Sequence, residues 1–281
     1  MCDAAGVEIT VVDWNLIGWH TISDEHLALL DRHAPDVLLL QEVTTASFDR
    51  LVERGPWAGQ IAATHLPGRR GRSGSPVRSW AAVLVRPPLD LATAAPLAGA
   101  PWAEQTLIGR VDGGALPFAV ASAAAPPNRP WGKEKAEQER LLAAHLATLD
   151  DPAILGMDRH GPREEHPAEG PRWWREDYPE LFAPDADHGL RDVWLDHLDR
   201  HADLRAAIAE QRPDGPLAIS FSRPAEGQRF VPARYDLIMA SRAFTVLDTG
   251  YAFEDGVAAG STHALVWARL RLQPAVAAPD L

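Results

Sequence analysis

The stretch DVLLLQE, residues 36–42, is a short apolar run that follows Pro35 and ends in a glutamine and a glutamate. A run of this length predicts a fully buried strand. The earlier stretch VEITVVDWN, residues 7–15, is rich in β-branched residues and predicts a second buried strand. Between the two, Ser23 is the expected N-cap of an amphipathic helix that extends to about His33. This alternation of strand and helix is typical of an α/β protein.

The rest of the chain continues the alternation and then becomes rich in strands. No internal repeat and no linker interrupts it, so we predict a single domain over residues 1–281. Glycine and proline punctuation separates the expected elements. The predicted helices are 45–54, 131–149 and 189–199, and the predicted strands are 59–64, 80–86, 106–112, 116–122, 153–157, 217–222, 234–240, 244–251 and 263–272, with a polar loop over 161–188.

Composition and charge exclude several classes of protein. The formal net charge is −12, so a long duplex nucleic acid should be repelled. Cys2 is the only cysteine, which excludes an intramolecular disulfide and a cysteine-based zinc site. No apolar run approaches the ~18 residues of a membrane helix, and the first residues do not resemble a secretory signal. We therefore expect a cytoplasmic protein with no membrane partner, and its oligomeric state stays open.

Polar side chains stand at the ends of several apolar strands. Asn15, Glu42 and Asp158 each follow a predicted strand, and His263 opens the last one. Such groups cannot stay buried without partners, so we expect them to converge on one cleft. Taken singly, each could also be an ordinary cap or loop hydrogen bond.

Six short segments, taken in order, resemble the motifs of the endonuclease/exonuclease/phosphatase superfamily, the deoxyribonuclease I-like group. They are DWN (13–15), LQE (40–42), GMD (156–158), HGLRDVW (188–194), RYDLI (234–238) and STHALV (261–266). The resemblance implies an α/β fold, a four-layer sandwich in which two packed, mainly antiparallel β-sheets are flanked by helices. It also implies hydrolysis of a phosphate ester that depends on a divalent metal, Mg²⁺ or Mn²⁺.

The same resemblance assigns roles to five residues. Glu42 would ligate the metal, and Asn15 would hold the phosphate or a water on the metal. Asp158 would align or deprotonate the attacking water. His263, oriented by Asp236, would act as a base or contact the phosphoryl oxygens, since such an Asp/His pair fixes the tautomer and raises the basicity of the imidazole.

The chain also departs from the family pattern at three places. Ala124 stands where the family has a histidine, Thr262 where it has an aspartate, and His160 where it has an asparagine. His160 could donate a hydrogen bond as the amide does, or protonate a leaving group. Asp13 shares a strand face with Asn15 and could approach the metal. The alternatives are that His160 is a loop histidine with no function and that Asp13 makes an ordinary surface hydrogen bond.

One basic segment stands out in this acidic chain. PGRRGRSGSPVRS, residues 67–79, includes Arg69, Arg70 and Arg72 and contains no acidic residue. Arginine suits bidentate phosphate contacts, so we predict that these three residues bind a phosphorylated substrate. A small metabolite or a short single strand is favoured over duplex DNA, and a solvated loop is the alternative. Two other functions stay open: a catalytically degenerate binding protein, and the same scaffold used for another reaction on a small metabolite.

Overall fold

The computed structural model describes residues 6–18, 20–71, 74–113, 116–126, 128–161, 165–166, 170–171, 178–183, 185–224 and 230–273. Within these ranges, two six-stranded sheets pack against each other and six α-helices flank them. Strand pairing in both sheets is mainly antiparallel. The predicted α/β sandwich is confirmed.

Strands outnumber helices in the described part of the chain. In chain order, the strands are β1 (Val7–Asn15), β2 (Val37–Val43), β3 (Ala58–Ile61), β4 (Trp80–Val85), β5 (Asp90–Pro96), β6 (Thr106–Asp112), β7 (Phe118–Ala124), β8 (Ala153–Asp158), β9 (Glu165–His166), β10 (Gly170–Pro171), β11 (Leu190–Asp192), β12 (Phe221–Pro224), β13 (Phe230–Ala233), β14 (Asp236–Ser241), β15 (Phe244–Ala252) and β16 (Leu265–Leu272). The helices are α1 (Asp24–His33), α2 (Thr45–Arg54), α3 (Asn128–Leu146), α4 (Val193–Arg200), α5 (Ala202–Gln211) and α6 (Phe253–Ala259), with 3₁₀ turns at Ala62–Thr64, Ala103–Gln105 and Pro179–Phe182.

Each sheet contains one parallel pair of strands among its described members. The first sheet has the order β15-β16-β1-β2-β4-β3, with β1 parallel to β2. The second has the order β11-β14-β8-β7-β6-β5, with β7 parallel to β8. Because parallel strands end at the same edge of a sheet, Asn15 lies opposite Gln41, and Ala124 lies opposite Asp158. Polar residues of both sheets are thereby collected at one end of the sandwich.

The two sheets approach each other closely at Gly156, in the middle of β8. A Cβ atom at this position would lie 2.8 Å from the Cβ of Leu39 on β2, so the glycine is needed for packing. The apolar core around this contact contains side chains from both sheets, including Val11, Leu39, Ile154 and Ile238. A second cluster packs α3 on the other face of the second sheet through Leu142 and Leu146.

Several features differ from the sequence-based expectation. The helix predicted at 189–199 begins only at Val193, because Leu190–Asp192 pairs with β14 and the Asp192 carboxylate caps the helix. The last strand begins at Leu265 rather than at His263. Strand β5 and the helices α5 and α6 were not predicted; α5 buries only Ile208, so its apolar periodicity is weak.

No helix in the described part of the chain is both long enough and apolar enough to cross a membrane.

Candidate active site

The side chain of Asn15 joins carboxylates from both sheets at this end of the sandwich. Its Nδ2 donates to Asp158 Oδ2 at 2.9 Å and lies 3.3 Å from Glu42 Oε1. Its Oδ1 accepts a hydrogen bond from the backbone N–H of Ile17, at 2.8 Å. The amide is therefore held with its donor group toward the two acids, where the ends of these strands meet.

Glu42 has an unusual backbone conformation at the end of β2. The register between β2 and β4 shifts between Leu40 and Val43, which indicates a β-bulge, and Glu42 has a φ of +51°. Left-handed backbone is uncommon for a residue with a Cβ, and it concentrates at functional sites. The bulge breaks the alternation of the strand, so the half-buried carboxylate is presented at the sheet edge beside Asn15.

Asp158 ends β8 and is bound by the turn that follows it. Its Oδ1 accepts from the backbone N–H of His160 at 3.1 Å, and its side chain is fully buried. Burial alone would raise the pKa of this carboxyl, but the neighbouring His160 and His263, together with the hydrogen bonds, hold it below its usual value. Asp158 is therefore ionised at neutral pH.

His160 also has left-handed backbone, with a φ of +49°. Its Nδ1 lies 2.7 Å from the carbonyl oxygen of Ala125, which can only accept, so Nδ1 carries the proton and Nε2 is left for other contacts. The same Nδ1 lies 3.6 Å from Asp158 Oδ2. The imidazole thus reaches the end of β7, beside Ala124, where the family pattern has a histidine.

Asp236 and His263 form a buried pair. The Nδ1 atom of His263 lies 2.9 and 3.0 Å from the two carboxylate oxygens of Asp236. The Ser220 hydroxyl accepts from the backbone N–H of Asp236, and Ser261 Oγ accepts from the N–H of His263. Burial lowers the pKa of the imidazole, but the charges of Asp236 and Asp158 outweigh it and raise the pKa of His263 to about 9. At neutral pH the ring is an imidazolium.

Two groups of side chains could hold a divalent cation within the described residues. One contains Glu42, Asp158 and His160, and the other contains Asp158, Asp236 and His263; in each group the ligand atoms lie within 4.8 Å of one another. Carboxylate oxygens suit Mg²⁺ and Mn²⁺, and Mg²⁺ commonly takes only one or two protein carboxylates. The donor set around Glu42 therefore fits such a cation. Asp236 and His263 are already committed to each other, so the first group is the better candidate.

Asp13 belongs to neither group, although it shares a strand face with Asn15 as predicted. It is fully buried between the sheets, next to Gly156, where its Oδ1 accepts from Gln41 Nε2 at 2.7 Å. Its Oδ2 has no hydrogen-bond partner. Burial, followed by the charge of Asp236, raises the pKa of Asp13 well above its ordinary value. A desolvated acid of this kind is a poor metal ligand, so the proposed metal site does not include Asp13.

The raised pKa of Asp13 predicts a dependence of stability on pH. The folded state holds a proton at Asp13 in a pH range where the unfolded chain has released it, so the free energy of unfolding should fall as pH rises above the ordinary pKa of 3.8. In Asp13→Asn this fall should be shallower, because the amide does not titrate in either state. Urea unfolding at several pH values measures it; parallel curves for the two proteins would show that Asp13 is ionised.

The structure places the predicted substrate arginines in different surroundings. Arg69 is tied to Glu104, with 3.1 Å between Nε and Oε2, and to the carbonyl of Pro101. Arg70 is exposed and bonds the carbonyl of Gly74, while Arg72 lies outside the described residues. The segment leads into β4, whose Trp80 pairs with Val43 directly after Glu42. The basic segment therefore ends beside the site, although Arg69 is already paired.

The sequence did not indicate the residues whose hydrogen bonds hold the backbone of Asp236. Ser220 holds the backbone of Asp236, and the Tyr251 hydroxyl donates to the Asp236 carbonyl at 3.0 Å. Nothing in the local sequence around a single serine or tyrosine indicates such a contact. Ser261 lies within the STHALV segment, and its Oγ donates to the Asn15 carbonyl at 2.8 Å, so its motif pointed to it.

Comparison with known proteins agrees with the fold and with the sequence motifs. Residues 27–156 match the sequence profile of the Endonuclease/Exonuclease/phosphatase family. No curated protein sequence matches the chain significantly.

Solved structures resemble the whole chain at low sequence identity. D. rerio TDP2, complexed with single strand DNA product, is 13% identical with a TM-score of 0.66, over 94% of this chain and 99% of that one. The human nocturnin catalytic domain, with bound sulfate, is 16% identical with a TM-score of 0.65, over 95% of both chains. An endonuclease/exonuclease/phosphatase from Beutenbergia cavernae is 17% identical with a TM-score of 0.61, over 96% of this chain and 73% of that one.

The profile match over residues 27–156 and the shared fold agree with the resemblance to the endonuclease/exonuclease/phosphatase superfamily found in the sequence.

Proposed function

We propose that this protein hydrolyses a phosphate ester with the help of a divalent cation, Mg²⁺ or Mn²⁺. The observation that carries the proposal is the convergence of Asn15, Glu42, Asp158 and the Asp236–His263 pair on one end of the sandwich. An amide donor, an ionised carboxylate and an imidazolium at hydrogen-bond distances suit a reaction in which negative charge grows on phosphoryl oxygens.

Glu42 is the proposed principal ligand of the cation, with Asp158 close by. When bound, the cation would neutralise charge that develops on the phosphoryl group. Asn15 Nδ2 already points toward the two acids and would donate to a phosphate oxygen placed there. This amide therefore orients the substrate rather than taking part in proton transfer.

Two groups are proposed for proton transfer and charge stabilisation. Asp158 is ionised, so it can orient the attacking water and accept its proton. His263 is protonated at neutral pH and bound to Asp236 through Nδ1, so it would donate from Nε2 to a phosphoryl oxygen. Of the two roles that the resemblance leaves open for His263, this charge state favours the contact with phosphoryl oxygens over that of a base.

His160 is the proposed partner of the leaving group. Its Nδ1 is engaged with the Ala125 carbonyl, which leaves Nε2 to exchange a proton with the departing oxygen. The position beside Asp158 and Glu42 supports this role.

The proposed substrate is a small phosphorylated metabolite or a short single strand. A net charge of −12 opposes a long duplex, and the basic segment that leads into β4 contains Arg70 and Arg72, a residue type that suits phosphate. Arg69 would contribute only by leaving Glu104. The neighbours with single strand DNA product or sulfate bound are consistent with a phosphorylated substrate.

A hydrolysis panel tests the proposal. It would contain a generic diester, single-stranded and double-stranded nucleic acid, inositol phosphates and sugar phosphates, each with and without Mg²⁺ or Mn²⁺. We expect turnover that requires the cation and is slowest on long duplex. Binding of a panel member without turnover would instead support a degenerate binding protein, consistent with Ala124 and Thr262 at the family's histidine and aspartate places. A non-hydrolytic product would indicate a repurposed scaffold.

A further inference from the structure

Behind the Asp236–His263 pair lies a buried guanidinium with four polar contacts. Arg234 is 1% exposed, and its Nε and Nη2 each lie 2.7 Å from an oxygen of Glu165. Nη2 also bonds Asp192 Oδ2 at 2.8 Å, and Nη1 donates to the Tyr251 hydroxyl at 3.1 Å. A planar guanidinium can fix several partners at once, whereas a point charge cannot.

Tyr251 connects this guanidinium to the proposed catalytic pair. Its hydroxyl accepts from Arg234 and donates its own proton to the Asp236 carbonyl at 3.0 Å. The Ser220 hydroxyl holds the N–H of the same residue. Two side chains therefore fix the backbone of Asp236 on both sides, and its carboxylate in turn orients His263.

Glu165 connects the guanidinium to the second half of the site. It follows Asp158 and His160 in the chain and is fully buried against Arg234. Asp158 itself lies opposite Asp236 in the register of β8 and β14. Arg234 therefore joins the segment that begins with Asp158 to the segment that contains Asp236, at a second point beyond the strand pairing.

We propose that Arg234 and Tyr251 are positioning residues, which hold Asp236 and the segment after Asp158 so that His263 and the Asp158 carboxylate face one substrate phosphate. The inference rests on the proposed function for its catalytic meaning. The network around Arg234 contains two carboxylates, those of Glu165 and Asp192, for one guanidinium. Hydrophobic residues often replace a buried ion pair without loss of stability. The Tyr251 hydroxyl links this network to the backbone of Asp236.

Tyr251→Phe is the sharpest test, because it keeps the ring and removes only the hydroxyl. We expect kcat on the best panel substrate to fall about tenfold with KM unchanged, since one hydrogen bond of ordinary strength is lost in the transition state. In ¹H–¹⁵N NMR spectra the Nδ1 proton resonance of His263 should move upfield as its bond to Asp236 lengthens. Arg200→Lys changes an arginine on α4 that bonds Asp196 and the Val246 carbonyl, and it serves as the control that should leave both measurements unchanged.

Arg234→Lys keeps the positive charge but removes the planar guanidinium that binds several partners at once. It should therefore lower kcat and move the His263 resonance upfield, as Tyr251→Phe does. The double variant with Tyr251→Phe should cost less than the sum of the two single changes, because both act through Asp236. If Tyr251→Phe leaves the His263 resonance and kcat as in the wild type, the proposal is wrong, whatever becomes of Arg234→Lys. The NMR result does not require turnover, so an inactive wild type would overturn the proposed function while the positioning role could still be decided.

Discussion

Alanine in place of His263 is expected to lower kcat by about 10²-fold or more, the usual size of an acid–base or charge-stabilising contribution. The imidazolium is buried against Asp236 and would be the donor nearest a phosphoryl oxygen. Steady-state kinetics on the best panel substrate, with the cation saturating, would measure the loss. KM should change far less than kcat, because the contact strengthens in the transition state.

Asp236→Asn tests whether the two residues act as a unit. The double variant His263→Ala with Asp236→Asn should lose about as much activity as His263→Ala alone, since the carboxylate acts through the imidazole. Losses that multiply would show independent roles. Full turnover in His263→Ala would remove the histidine from the mechanism.

Glutamine at position 42 is expected to weaken Mn²⁺ binding by about tenfold or more and to lower cation-dependent activity by about 10²-fold. Removing the carboxylate takes away the charged ligand that the bulge in β2 presents at the sheet edge. Calorimetric titration with Mn²⁺ gives the affinity without reference to turnover. We expect weak binding by the wild type, because Thr262 adds no charge, and tighter binding once substrate phosphate supplies further oxygens.

Glu53→Gln is the matched control for Glu42→Gln, since it removes an exposed carboxylate on α2. It should leave Mn²⁺ affinity and kcat unchanged. Equal affinity of wild type and Glu42→Gln would show that the cation is bound elsewhere, and the second group of acids, around Asp236, would become the candidate.

Local sequence signals sufficed for the elements that are defined by burial or by a cap. The β-branched run predicted β1 as Val7–Asn15, which is the strand observed. Helix α2 was also predicted with its observed bounds, and Thr44 caps it through the N–H of Ser47. Helix α5 has no such apolar stripe, so its signal was weak. The split of 189–199 into strand and helix depends on pairing with β14, a contact that no local pattern reports.

Some site residues likewise have a local sequence signal, whereas others depend on tertiary packing. Polar residues that end apolar strands can be recognised in the sequence, and the side chains of Asn15, Glu42 and Asp158 do meet. Asp13 has the same alternation as Asn15, yet only the packing of the second sheet at Gly156 decides that it is enclosed. Tyr251 supports Asp236 from a different strand, so its contact arises from tertiary structure and leaves no motif.

The pairing of β1 with β16 means that the first and last strands of the sandwich complete one sheet together. Asn15 ends β1 and His263 precedes β16, so this pairing brings to one end of the sheet two proposed site residues that lie far apart in the sequence. A change that weakens the pairing of β1 with β16 would therefore separate Asn15 from His263, even if neither side chain were altered.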